Sequence, residues 1–150
     1  MRTLAIDLGS RRVGLALSDA GGKFATPYDV LEVSSPEDAM RQVIEVVAKE
    51  GVERLVVGIP LNMDGTIGAA ARSAADWARA LSAKADKPLV LVDERLSSFD
   101  AEQQLINRKR GGEKITRATK KQKLDALAAA SFLQEYLDGK LPSLEMSDES

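Results

Sequence analysis

Two short apolar runs, Arg54–Ile59 and Pro88–Val92, constrain this chain most tightly. Runs of that length without polar alternation read as strands buried on both faces, the mark of a parallel sheet covered by helices. Between them, residues 68–83 are alanine-rich, with Trp77 and Leu81 as the large apolar groups, and read as a helix. A second helix is predicted just upstream. Ser35 is placed to cap it, Pro36 takes its first position, and Glu37 and Asp38 fill its first turn. Met40, Val43, Ile44 and Val47 then recur at helical spacing, and Gly51 stops the run.

The period changes on either side of this unit. Residues 3–8, 13–18 and 28–33 read as three strands. They are joined by turns at Ser10-Arg11-Arg12 and Ala20-Gly21-Gly22-Lys23, which gives an antiparallel meander. Downstream, Ser97 is placed to cap a helix over 98–107, a basic, glycine-broken segment runs from Arg108 to Thr119, and a last helix spans about Lys120 to Leu137. Thr119 and Gln122 have capping-box spacing for its start. The predicted folded unit is residues 1–138, with 139–150 as a disordered acidic tail. The expected class is therefore α/β: a five-stranded mixed sheet, three strands antiparallel and two parallel, flanked by helices, with the first strand central. Ribonuclease H-like folds share that topology with each half of the actin-like ATPases, so topology alone does not choose a function.

Chemistry enters at Leu4-Ala5-Ile6-Asp7-Leu8-Gly9. A lone carboxylate on a buried strand is costly unless a basic side chain or a metal ion lies against it. The chain of 150 residues has no cysteine and no histidine, which removes thiol nucleophiles, zinc-thiolate sites and every His-dependent triad. Ser97 and Ser98 consequently read as caps rather than nucleophiles. Hydrolysis here falls to carboxylates and a hard cation. No apolar run approaches the ~20 residues of a membrane span, and no signal-peptide layout precedes Thr3, so a cytoplasmic location without membrane attachment is expected.

The net charge is −2, yet its distribution is uneven. Between Asn107 and Lys123 stand eight basic residues (Arg108, Lys109, Arg110, Lys114, Arg117, Lys120, Lys121, Lys123) and one acid, Glu113. Lysines in the first turn of a helix oppose its dipole, and phosphates would offset that cost. Arg11 and Arg12, in the turn after Asp7, extend the same candidate nucleic-acid surface.

Four segments together resemble the YqgF family, also called RuvX, of ribonuclease H-like, Holliday-junction-resolvase-like proteins. They are Ile6-Asp7-Leu8-Gly9 with Arg12-Val13-Gly14; Val57 to Asn62 with Asp64-Gly65; Asp93 to Ser98; and Lys123 to Ala126 with Ala128-Ala129. The resemblance implies a divalent-metal-dependent nuclease using Mg²⁺ or Mn²⁺, which cuts four-way DNA junctions or trims the 5′ end of the precursor of 16S ribosomal RNA. It also implies Asp7 as first metal ligand, Glu94 or Asp93 as second, and Asp125 as third. In most ribonuclease H-like nucleases the second carboxylate stands on the strand beside the first. Here that strand ends Gly58-Ile59-Pro60, with no acid. The ligand must reach in from Asp93-Glu94 or from Asp64, and Glu94 is favoured for its longer side chain, while Gly58 and Pro60 read as turn-shaping.

Two other classes stand beside the nuclease. An actin-like ATPase half needs a second domain and a second phosphate loop, for which 150 residues leave no room. A non-catalytic nucleic-acid-binding factor with a degenerate site would fit the missing strand acid. The expected partner is nucleic acid, and the chain is expected to act as monomer or homodimer, since symmetric junction cutting needs two sites.

Overall fold

The computed structural model describes residues 1–96 and 117–145, with the side chains of 96 and 117–125 left outside that description. Five strands form one sheet: β1 (Thr3–Leu8), β2 (Arg12–Ser18), β3 (Ala25–Glu32), β4 (Arg54–Ile59) and β5 (Leu89–Asp93), in the order β3-β2-β1-β4-β5. The meander pairs are antiparallel, whereas β4 lies parallel to β1 and β5 parallel to β4. The first strand is central, as predicted. Helices α1 (Pro36–Glu50) and α2 (Ala69–Ala85) follow β3 and β4, a short 3₁₀ turn (Glu94–Leu96) follows β5, and the last helix, α3, runs Arg117–Leu137.

Strand alternation divides the core in two. Leu4, Ile6, Leu15, Val57, Ile59 and Leu81 belong to the layer under α1 and α2. Ala5, Ala16, Val56, Val92, Ala129, Phe132 and Leu133 form the layer under α3. Each large side chain removed from water here contributes about 1.5–3 kcal/mol, while the alanines let α3 approach the sheet closely. Trp77 and Phe132 are both core residues.

Local chemistry accounts for the helix ends. The Ser35 hydroxyl accepts the Asp38 amide at 3.0 Å, and the Asp38 carboxylate accepts the Ser34 amide at 3.0 Å, a reciprocal cap. Gly51 closes α1 with φ +63° and donates its amide to Val47. Two boundaries differ from expectation. Strand β3 begins at Ala25, ahead of the predicted Tyr28, because Ala25, Thr26 and Pro27 pair with Ser18, Leu17 and Ala16. Pro27 is tolerated because β3 is an edge strand. Helix α3 begins at Arg117, so Thr119 lies inside it rather than capping it.

Within residues 139–145, expected in a disordered tail, two leucines pack against the core. Leu141 is 2% exposed in the α3 layer, Leu144 packs against the opposite layer, and the Leu144 amide donates to the Leu91 carbonyl at 2.6 Å. The segment thus covers part of the β5 edge, which would otherwise present unpaired backbone groups. The predicted helix over 98–107 and the residues Ser97, Ser98, Arg108, Lys109, Arg110 and Lys114 lie outside the described residues. Among those described, no helix is long and apolar enough to cross a membrane.

Candidate active site

Asp7 stands one residue before the end of β1, opposite Gly14 of β2, and alternation from Ala5 puts it on the α3 side of the sheet. The chain then turns sharply: the Gly9 amide donates to the Arg12 carbonyl at 2.9 Å. A β-carbon on Gly9 would sit 2.6 Å from that carbonyl oxygen, so only glycine closes this turn.

On the neighbouring strand, Val57 pairs with Ile6, and Gly58 is the next residue. Gly58 lies within β4 rather than in a turn, which corrects the turn-shaping reading. Its role is spatial. A β-carbon there would lie 2.8 Å from Glu94 Cγ, 2.9 Å from Glu94 Oε1 and 3.0 Å from Phe132 Cε2. Glu94, at the start of the 3₁₀ turn after β5, therefore passes its side chain across β4 through the gap that Gly58 leaves. Beyond it, the carboxyl shares a hydrogen bond with Asp7. The strand next to β1 supplies no acid because the acid comes over it from one strand further out.

Two carboxyl groups in hydrogen-bond contact hold a proton between them, or require a cation in its place when both ionise. Independently of that pairing, the Glu94 carboxyl is pushed above its ordinary range, first by burial and then by the neighbouring negative Asp93, with the Asp7 hydrogen bond acting in the opposite direction. A donor set made only of oxygens suits a hard divalent ion such as Mg²⁺ or Mn²⁺. Among the described residues, no group of three or more His, Cys, Asp or Glu side chains is gathered as a metal would need. Asp125, the third expected ligand, has its side chain outside the described residues. Its backbone position precedes Ala129 and Phe132 by one and two turns of α3, and those two residues are buried against the sheet.

Asp93 is occupied differently. It is 5% exposed, pairs in register with Ile59, and so lies on the α1–α2 side of the sheet. Its Oδ1 accepts the Arg95 amide at 3.0 Å and Arg95 Nε at 3.1 Å, and its Oδ2 accepts Arg95 Nη2 at 2.7 Å. Arg95 Nη1 also donates to the Met63 carbonyl at 3.1 Å. The pair thereby ties the loop after β4 to the end of β5. In that loop the Asp64 carboxylate accepts the Thr66 amide and hydroxyl at 3.0 and 2.6 Å, and these bonds hold it below the usual carboxylate range.

Of the expected phosphate contacts, Arg11 is exposed and Arg12 half-buried, both at the end of the sheet where Asp7 stands. Arg117, Lys120, Lys121 and Lys123 lie in the first two turns of α3, with side chains outside the description. Sequence reasoning missed one contributor to the site, Gly58 as a gap, whereas the local ion pair that Asp93-Glu94-Arg95 offers in sequence is formed by Asp93 and Arg95. A glycine inside an otherwise unbroken apolar strand is the available signal for the gap, since such glycines mark close approach.

Comparison with known proteins bears on the family and the fold. Residues 1–139 match the family RuvX, described as Holliday junction resolvase. A protein of Acidiphilium cryptum named "Putative pre-16S rRNA nuclease" is 39% identical over 137 residues, covering 91% of this chain and 84% of that protein. A Chloroflexus aurantiacus protein of the same name is 39% identical over 146 residues, covering 97% and 92%. Among solved structures, Thermus thermophilus RuvC in complex with a Holliday junction substrate superposes with a TM-score of 0.60. It covers 93% of this chain and 95% of that one at 17% identity, and so speaks to the fold alone.

Proposed function

The chain belongs to the RuvX family of nucleases with a RuvC-like fold, and on that footing we propose that it hydrolyses phosphodiester bonds in structured nucleic acid with the help of Mg²⁺ or Mn²⁺. The observation that carries this reading is the Asp7–Glu94 carboxyl pair, brought together across β4 from the ends of β1 and β5. Asp7 and Glu94 are assigned as ligands that share the divalent ions, and Asp125, approaching on α3, as the third. Asp93 is assigned a structural role, because its oxygens are taken up by Arg95. When bound, such ions supply a water of lowered pKa and offset charge at phosphorus. Asp7 and Glu94 hold the position. Arg11, Arg12 and the basic stretch Arg108–Lys123 are assigned to the phosphates on either side of the scissile bond.

The favoured substrate is the precursor of 16S ribosomal RNA, which the names of the relatives at 39% identity support. The family description supports junction DNA as the second reading. Junction cutting would call for two sites related by symmetry, hence a homodimer.

Cleavage of both substrates by purified protein with Mn²⁺ tests the proposal. Asp7→Asn is expected to lower the rate by about 10²-fold or more while leaving binding intact, because several kcal/mol of transition-state stabilisation pass through that ligand. Wild-type protein that binds either nucleic acid but cleaves neither with any divalent ion would establish the non-catalytic binding factor instead.

A further inference from the structure

The carboxyl pair occupies the α3 side of the sheet's end, and the other side holds a feature that the hydrolytic reading leaves unused. There a cavity of about 290 Å³ opens between the first turns of α1 and α2. Its walls are mostly apolar, with Leu8, Pro60 and Trp77 among them, and three serines, Ser10, Ser35 and Ser73, join the lining. The volume lies at the lower end of the ~300–1,000 Å³ of small-molecule sites, room for a single ring system.

Position identifies the occupant. Leu8 directly follows Asp7, and Pro60 comes two residues after Gly58, over which Glu94 passes. Both strands stop there, at Leu8 and Ile59, so no further sheet separates the two faces beyond that point. At ~3.3 Å per strand residue, two residues amount to ~7 Å along the strands, and passing from one face of the sheet to the other adds several ångströms, together the reach of roughly one to two nucleotides. A nucleic-acid strand crossing the sheet's end with a phosphate at the carboxyl pair thus brings a neighbouring base to the cavity mouth. Apolar walls with few serines suit the face and edges of a planar heterocycle, and aromatic or apolar contact of this kind tolerates any base sequence.

We propose that this cavity is a nucleobase subsite, which receives one unstacked base next to the scissile phosphate. The inference rests on the nucleolytic reading for its register with the carboxyl pair. It implies that the preferred substrate is single-stranded or distorted beside the cut, since a base held in a duplex stack cannot enter.

Trp77 is the single tryptophan of the chain and lines the cavity, so its fluorescence reports occupancy. The experiment uses the full chain in EDTA, where cleavage plays no part. A short single-stranded RNA is titrated against the same RNA carrying abasic sugars. The base-bearing strand is expected to change the Trp77 emission and to bind about 5- to 150-fold more tightly, the range contributed by one stacked base. Ala70→Phe, at an exposed position on the cavity wall, is expected to abolish that difference while binding the abasic strand as wild type does. Ser73→Leu, at a second exposed lining position, is the parallel variant should Ala70→Phe fold poorly by thermal melting. Equal binding of the two strands by wild type would overturn the proposal. So would a base-dependent difference that survives in a folded variant, or an emission change that follows protein concentration, which would mean a second copy of the chain in the cavity. The nucleolytic reading fails by a separate result, namely no cleavage with any divalent ion whatever the binding.

Discussion

Replacing Gly58 by alanine adds one methyl group at the point where three chain segments meet. That methyl would lie 2.8 Å from Glu94 Cγ, 2.9 Å from Glu94 Oε1 and 3.0 Å from Phe132 Cε2, where ordinary carbon contacts lie at about 3.5–4.0 Å. Something must move by roughly half an ångström or more. Phe132 is 2% exposed and packed in the α3 layer, so it yields little. Glu94 is half-buried on a one-turn 3₁₀ segment, so its side chain is the part that gives way and its carboxyl withdraws from Asp7. Overpacking of this kind costs about 1–3 kcal/mol, a loss of several degrees in Tm. The larger effect falls on cleavage. If Glu94 holds a metal, Gly58→Ala should approach the loss caused by Glu94→Gln, about 10²-fold or more, since both remove the same ligand. The double variant should then be scarcely worse than Glu94→Gln alone, because the two changes act through one group. Thermal melts and single-turnover cleavage of the four proteins provide the cycle. Full activity and stability in Gly58→Ala, with Glu94→Gln inactive, would refute the claim that this gap sets the position of Glu94. Multiplicative losses would also refute it.

Two further outcomes follow from the same geometry. Arg95→Ala strips a buried carboxylate of its guanidinium and frees the Met63 carbonyl, so stability should fall by about 2–4 kcal/mol in urea melts. Arg95→Ala combined with Asp93→Ala should recover part of that loss, whereas additive damage would show that the pair is not a unit. Because the Glu94 carboxyl is raised above its ordinary value of 4.5, its contribution to metal-free stability is fully present below that pH and is lost as pH rises through the raised value. A divalent cation binds the ionised pair, so the Tm gain from Mn²⁺ should grow from pH 5 to pH 8, and Glu94→Gln should flatten that growth. An equal Mn²⁺ gain at both pH values would place the ion elsewhere.

Much of this arrangement could be read before any coordinates, and the parts that could not have identifiable causes. The two apolar runs became β4 and β5 because helices on both faces favour apolar side chains along them, up to Asp93 at the end of β5, which Arg95 pairs. Ser35, Pro36 and Gly51 marked α1 to the residue, since capping is decided by atoms within four positions of the cap. Glu94 was preferred over Asp93 on length alone, and strand alternation adds the stronger ground that the two acids leave the strand toward opposite faces. The two packed leucines went unseen because Leu141 and Leu144 are too few to form a periodic pattern, and Leu144 bonds to Leu91, some fifty residues away. Gly58 was misread for a related reason. A glycine before Ile59-Pro60 looks like the start of a turn when only neighbours in sequence are weighed. Its function appears only across the sheet, where a missing side chain on β4 and a long acid after β5 are two halves of one arrangement. Had β4 carried a side chain at position 58, Glu94 would be a surface acid and Asp7 a half-buried charge in need of another partner.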